Sequence, residues 1–342
     1  MKDFKLPNDS IKISVIGTGR MGFNHARLLS RLGILDSVID SEIDSAMNVG
    51  KRFNVPYYSS MKELNKVQNP NGIIIAVPTA LHPQISIEVL ENLPNLRALL
   101  IEKPIAPTVK EAEKLKSILI KHSELKVIIG HVEVYNPLVT RIHEIVKEQE
   151  ILGDLRSCLI QRRGAVAETR ISSIGDVEMD IGVHDFDIAM RLFPKGKINV
   201  YSRATKLNGF DNSCVTVISS DEVDFFITFL MSREFAGKLR KIDIEGSKAT
   251  LTADLLTQIL ELRSLEIARG EEKSSAIRIP FSNGEQIKVY GEPLLSEIFN
   301  FIDCIKGVDS PKVSIDDGIN AIKLVEATRD SIRSKKVINI EV

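Results

Sequence analysis

Five short apolar runs in the first 130 residues, each set apart by an amphipathic stretch, restrict what this chain can fold into. The runs are IKISVI, SVID, GIIIAV, RALLIE and KVIIG; between them lie RMGFNHARLLSRL, SEIDSAMNVGKRF, PQISIEVLEN and VKEAEKLKSILIKH. A strand buried on both faces is apolar throughout, whereas a helix lying on a sheet repeats its apolar residues every three or four positions. Their alternation predicts βαβ units, and so a doubly wound parallel (Rossmann) sheet with helices on both faces. Ligands of such sheets bind beyond the carboxyl ends of the strands. Waiting at those ends are Gly17 to Gly22, Asp40, Pro78 with Thr79, Glu102 to Pro104, and Gly130 with His131.

From about residue 155 the pattern changes to alternating strands such as LRSCLIQRR, INVYSRAT, CVTVIS, VDFFITFLM and RKIDIEG. They predict an α/β domain with a large, mostly antiparallel open sheet, interrupted by one helix at 180–193 and followed by helices near 293–306 and 316–334. The length of 342 residues suits two domains. We expect a dinucleotide-binding domain at 1–130 and a substrate-binding and oligomerisation domain at 131–342, whose C-terminal helices are free to pack back on the first.

Glycines 17, 19 and 22 form a G-x-G-x-x-G directly after a strand and at the start of a helix. Gly17 permits a tight turn, Gly19 lets backbone approach a pyrophosphate, and Gly22 lets helix and strand pack closely. Arg20 and Met21 lie inside the same loop, whose amides and helix dipole favour phosphate. Asp40 closes the next strand 18 residues beyond Gly22. A carboxylate there accepts from both ribose hydroxyls and repels a 2′-phosphate, which favours NAD; Ser41 beside it keeps NADP open. Pro78, Thr79, His82 and Glu102 complete the expected cofactor-binding set.

Two further features invite chemistry. LLIEKPIAP carries Lys103 out of a buried strand between Glu102 and Pro104, the position either of a placed cation or of a solvated lysine. In MDIGVHDFDIAMRLF, helical spacing puts Asp180, His184, Asp187 and Arg191 on one stripe of an otherwise apolar helix. A buried polar stripe must meet a partner, a cavity or a ligand. His184 between carboxylates is a general acid/base or a structural His-Asp pair. His122, His131 and His143 are scattered, so no metal site is expected.

Together these motifs resemble the Gfo/Idh/MocA family, relatives of glucose-fructose oxidoreductase and inositol dehydrogenase, over nearly the whole chain. The resemblance implies NAD(P)-dependent hydride transfer between nicotinamide and a secondary alcohol or ketone of a sugar, cyclitol or nucleotide sugar. It makes Lys103 the active-site lysine, with Asp180 and His184 completing the site and Asp187 binding substrate or orienting the histidine. GHVEVYNP, 130–137, is similar to the Gly-His-x-Glu-Arg-Phe-Asn-Pro stretch of UDP-N-acetylglucosamine 3-dehydrogenase-like members. Tyr135 and Asn136 thus join the substrate set, although Val134 replaces that branch's arginine; Arg163 and Arg170 are placed to clamp a diphosphate in its stead. The resemblance also implies a homodimer or homotetramer built on the open sheet.

Other classes fit less well. A dinucleotide- or sugar-sensing regulator on the same fold would not need Lys103 and His184; dihydrodipicolinate reductase shares Gly-Arg-Met-Gly but not its paired histidines; a purely structural assembly protein has only the open sheet in its favour. Lys plus Arg total 45 against 46 Asp plus Glu, so no global field recruits nucleic acid or an anionic membrane. No signal peptide and no spanning apolar run is evident, and Cys158, Cys214 and Cys304 are few and dispersed; a cytoplasmic protein is expected.

Overall fold

The computed structural model describes residues 11–67, 69–192, 196–265 and 291–342. The chain divides into two compact units, Met1–Val132 with Glu292–Ile319, and Glu133–Gly291 with Asn320–Val342.

The first unit holds β1 (Ile13–Ile16), α1 (Arg20–Leu32), β2 (Leu35–Ile39), α2 (Ile43–Phe53), β3 (Tyr57–Tyr58), α3 (Met61–Val67), β4 (Gly72–Ile75), α4 (His82–Asn92), β5 (Ala98–Glu102), α5 (Val109–Leu119) and β6 (Lys126–Gly130). Its six strands are parallel in the order β3-β2-β1-β4-β5-β6. The chain therefore leaves β1 first toward β2 and later returns on the other side at β4. That reversal opens a crevice at the carboxyl ends of β1 and β4, where ligands of doubly wound sheets bind. Every residue of β1, β4 and β5 is buried, which explains why these strands read as unbroken apolar runs.

The second unit contains α6 (Pro137–Glu148), β7 (Leu155–Gly164), α7 (Glu168–Ile174), α8 (Val183–Met190), β8 (Lys197–Leu207), β9 (Phe210–Ser220), β10 (Val223–Ser232), β11 (Lys238–Gly246), β12 (Ala249–Asp254) and β13 (Ile259–Ser264). A late helix, α9 (Pro293–Lys306), belongs to the first unit and packs on α1, β5 and β6. At Gly72 of β4 an added Cβ would stand 2.7 Å from Ile305 Cδ1 and 2.9 Å from Phe301 Cζ, so α9 seats where the sheet has no side chain. The last elements are α10 (Ile315–Ser334) and β14 (Ile338–Glu341).

The second sheet has eight strands, β13-β12-β11-β7-β10-β9-β8-β14, antiparallel except for the β7–β10 pair. On one face Cys158, Ile160, Ile227, Phe229, Met231, Ile242 and Ile244 pack with Val183, Phe186 and Ile188 of α8 and with Leu324 and Val325 of α10. Phe186 meets Phe229 edge-on, with ring centroids 4.9 Å apart. The opposite face leaves Tyr201, Val215 and Phe226 exposed. Among the described residues no helix is long and apolar enough to cross a membrane.

The expected single helix over 180–193 is a π turn, Glu178–Gly182, continued by α8, which ends at Met190. A Cβ at Gly182 would lie 2.5 Å from Met231 Sδ, so the wide turn carries bare backbone onto β10. The π turn interrupts the regular 3.6-residue spacing between Asp180 and the stripe of His184, Asp187 and Arg191. Residue 193, the last of the expected 180–193 helix, lies outside the described residues.

Glu297 of α9 is fully buried, and neither carboxylate oxygen has a hydrogen-bond partner. Burial, reinforced by the charge of Glu102, pushes its pKa well above the ordinary 4.5. A carboxyl raised in the native state stabilises fully only below its unfolded pKa, and that contribution is lost as pH climbs toward the native value. Glu297→Gln is therefore expected to flatten the fall in melting temperature as pH rises above the ordinary carboxyl range, relative to the wild type. Parallel curves from scanning calorimetry would show that Glu297 is charged in the fold.

Candidate functional site

In the first unit the glycine loop is shaped by what its glycines touch. Gly17 has φ of 91°, and a Cβ there would meet Ala76 O at 2.5 Å. At Gly22 an added Cβ would stand 1.8 Å from Gly17 O, so α1 begins directly against the loop. Gly19 differs: a Cβ would find no atom within 4 Å, and its φ of −63° suits any residue. The space over Gly19, in front of the first amides of α1, fits the phosphates of a dinucleotide. Arg20 is exposed there and Met21 partly buried.

Asp40 follows β2 beside this loop. Its Oδ2 accepts from Thr18 N and Thr18 Oγ1, both at 2.7 Å, and its Oδ1 from Glu42 N at 3.1 Å. A carboxylate has about four acceptor sites, so one remains for a ribose hydroxyl. Thr18, which sequence reasoning passed over as the x of G-x-G, is the residue that holds Asp40.

Past β4, Pro78 is exposed and Thr79 half-buried, and the pair opens a 3₁₀ turn into α4. His82 is 1% exposed, and both ring nitrogens are engaged by backbone carbonyls, Pro104 O at 2.7 Å and Val77 O at 2.9 Å. The structure thus aims this ring at the loops themselves and leaves it no nitrogen for a ligand.

Glu102 ends β5 almost buried. Its Oε1 lies 2.7 Å from Nε2 of the fully buried His25, and its Oε2 accepts from Lys103 N at 3.3 Å. Lys103 itself is half-buried, with a cis peptide bond to Pro104. His25, the third residue after Gly22, was not singled out from sequence; a histidine on the otherwise apolar core face of an amphipathic helix was the available signal.

In the second unit, His184 is half-buried near the start of α8. Asp180 in the π turn has Arg233 Nη1 at 3.7 Å from its Oδ2. Asp187 is 1% exposed, with Arg191 Nη2 at 3.4 Å from its Oδ1. Tyr135 and Asn136 are both buried, and Asn136 caps α6, its Oδ1 accepting from Leu138 N at 3.1 Å.

Alternation along β7 separates the two neighbouring arginines. Arg162 shares the core side with Cys158 and Ile160; Arg163 points to the other face, its guanidinium 4.3 Å from the Phe235 ring centre. Arg170 is exposed on α7. Arg163, expected with Arg170 to clamp a diphosphate, therefore lies on the face of the sheet away from α8. Arg162 is on the α8 side instead. Its Nε donates to Asp185 Oδ1 at 2.9 Å and Nη1 to Glu133 Oε1 at 2.9 Å, while Arg240 Nη1 reaches the same Glu133 oxygen at 3.0 Å. Burial pushes the Glu133 carboxyl up, but Arg162 and Arg240 outweigh it and hold it below the usual range. Burial also raises Asp185, only partly countered by Arg162. This network ties α8 to the segment carrying Tyr135 and Asn136.

A second acidic group, Asp176, Glu178 and Asp211, brings carboxylate oxygens within 4.8 Å of one another. Its charge is met by the chain's own cations: Arg329 at 3.2 Å from Asp176 and 2.6 Å from Glu178, and Lys206 at 3.7 Å from Asp211.

Two family models match the chain: an oxidoreductase family, NAD-binding Rossmann fold, over residues 11–131, and the C-terminal alpha/beta domain of that family over 148–340. Inositol 2-dehydrogenase of Rhizobium meliloti is 23% identical over 97% of this chain and 99% of its own length. Among solved structures, UDP-N-acetylglucosamine 3-dehydrogenase from Acidithiobacillus ferrooxidans superposes with a TM-score of 0.80 at 19% identity, covering 95% of this chain and 98% of that one. The WlbA dehydrogenase from Bordetella pertussis, solved with NADH and UDP-GlcNAcA, gives 0.77 at 16% identity, covering 97% and 99%. At such identities the structural likeness speaks for the fold.

The open space at Gly19 separates binding from folding. Gly19→Ala is expected to leave the melting temperature unchanged and to weaken NAD binding by about tenfold or more, roughly 1.4 kcal/mol, in a calorimetric titration. Undiminished affinity would place the pyrophosphate elsewhere.

Proposed function

Because this chain belongs to the Gfo/Idh/MocA oxidoreductase family, with both its NAD-binding Rossmann domain and its C-terminal alpha/beta domain matched, we propose that it is an NAD-dependent dehydrogenase acting on a CH–OH group of a sugar, cyclitol or nucleotide sugar. The observation that carries this reading is Lys103 emerging at the carboxyl end of the buried strand β5, on the same edge of the parallel sheet as the Gly17–Gly22 loop.

Bound NAD supplies the hydride acceptor. The protein's part is to hold it and to manage charge and proton. The amides at the start of α1 and the Asp40 carboxylate bind its phosphates and ribose. Oxidation of a secondary alcohol removes a proton from oxygen as hydride leaves carbon, so a base and a cation beside the oxygen both lower the barrier. His184 takes the proton and Lys103 stabilises the developing alkoxide. Asp180 and Asp187 flank the histidine and help to hold substrate hydroxyls.

The substrate class is supported by relatives named inositol 2-dehydrogenase and UDP-N-acetylglucosamine 3-dehydrogenase. Within it we favour a cyclitol or an unphosphorylated sugar: Val134 is 8% exposed where the nucleotide-sugar branch carries arginine, and Arg163 lies on the other face of its sheet. The remaining GHxE and Asn-Pro match of residues 130–137 favours a nucleotide sugar as the second reading. We also infer a cytoplasmic homo-oligomer joined through the open sheet face bearing Tyr201, Val215 and Phe226; the three cysteines are buried free thiols, as suits a reducing compartment.

His184→Ala is expected to lower turnover by about 10²- to 10⁴-fold while NAD affinity stays within about threefold. Turnover at the wild-type rate would remove His184 from the reaction. For the assembly, Phe226→Glu should shift the mass read by light scattering from oligomer to monomer, and an unchanged mass would exclude this face as the interface.

A further inference from the structure

Helix α4 begins with a side chain turned inward. His82 is 1% exposed, with Nδ1 2.7 Å from the Pro104 carbonyl oxygen and Nε2 2.9 Å from that of Val77. Val77 leads into the segment after β4 that carries Pro78 and Thr79; Pro104 follows Lys103 at the start of the segment after β5. These strands are direct neighbours, paired up to Ile75 and Ile101. A single ring thus spans the two loops that leave adjacent strands at the ligand-binding edge of the sheet.

The contacts are directional. Carbonyl oxygens only accept, and each ring nitrogen sits where an N–H would reach one. Burial holds the pKa of the ring below its usual value, outweighing the two carbonyls and the charge of Glu102 on β5, so the neutral ring donates its one N–H to one carbonyl and packs its other nitrogen against the second. Leucine at this position would cut both ties, and glutamine could restore one.

We infer that His82 is a positioning residue for the reaction: by bridging the carbonyls of Val77 and Pro104 it sets the spacing between the Pro78–Thr79 loop and Lys103, and thereby where the ammonium stands relative to bound nicotinamide. The inference rests on the role given to Lys103 above. An imidazole bridge is short and rigid, and displacement of a catalytic group by about 1 Å costs up to about 10²-fold in rate.

The test combines two readouts on His82→Leu and His82→Gln. The first needs no substrate: the rate at which an amine-acylating reagent modifies Lys103, followed by peptide mass spectrometry with exposed Lys51 as internal reference. We expect that ratio to change at least about threefold in His82→Leu and to return partway in His82→Gln. The second is turnover per folded molecule, expected to fall about 10- to 100-fold in His82→Leu with NAD affinity within about threefold, and to recover partly in His82→Gln. A merely structural histidine would lower the melting temperature while leaving the Lys103 ratio and the turnover of the folded fraction unchanged, and that result overturns the inference. If Lys103→Met retained full turnover, the reading of the reaction would fail on its own, while the modification ratio would still decide whether His82 places the lysine.

Discussion

The first unit is organised by one close approach of backbone to backbone. Gly17, at φ of 91°, lies so near the Ala76 carbonyl that no side chain fits, and Gly22 stands equally hard against Gly17. These contacts fasten the loop after β1 to the end of β4, the strands between which the chain reverses direction across the sheet. Everything later placed on the carboxyl edge inherits its position from that fastening: the open amides of α1, Asp40 held by Thr18, and Lys103 one strand further on. A Cβ at Gly17 would press the loop off the end of β4, and one at Gly22 would press α1 off the loop.

Buried charge does the corresponding work elsewhere. Glu102 is held by His25 in the first unit; in the second, Arg162 joins Glu133 to Asp185 beside His184. An ion pair as deep as that of Arg162 contributes little net stability, because desolvation nearly cancels its attraction, yet removing one partner costs about 3–5 kcal/mol. What they supply is geometry. A guanidinium bonded to two carboxylates on different elements admits few arrangements of α8 against the segment with Tyr135 and Asn136, whereas an apolar contact would admit several.

The parallel sheet was legible because strands buried on both faces are apolar throughout and glycine loops leave a spacing that survives any surface variation. The same holds for Lys103, whose place at a strand end follows from the run before it. What could not be read was direction. Arg162 and Arg163 are adjacent and alike in sequence, and only the register of β7 with β10 and β11 decides which faces the core. His82 resembles a ligand in sequence and His25 passes unnoticed, since nothing local shows that a buried carbonyl or carboxylate awaits them. The π turn before α8 was hidden for a related reason: Gly182, within it, lies against Met231, a residue 49 positions away in sequence.

Hydride transfer itself is the claim on which the account stands, and isotope tracing reaches it directly. The protein would be incubated with NAD and a panel of cyclitols, sugars and UDP-sugars carrying deuterium on their carbinol carbons, and the reduced nicotinamide analysed by mass spectrometry. The account predicts one deuterium at C4 of the nicotinamide per carbonyl formed, with at least one member of the panel. Reduced cofactor without deuterium, or no reduced cofactor with any member, would contradict it.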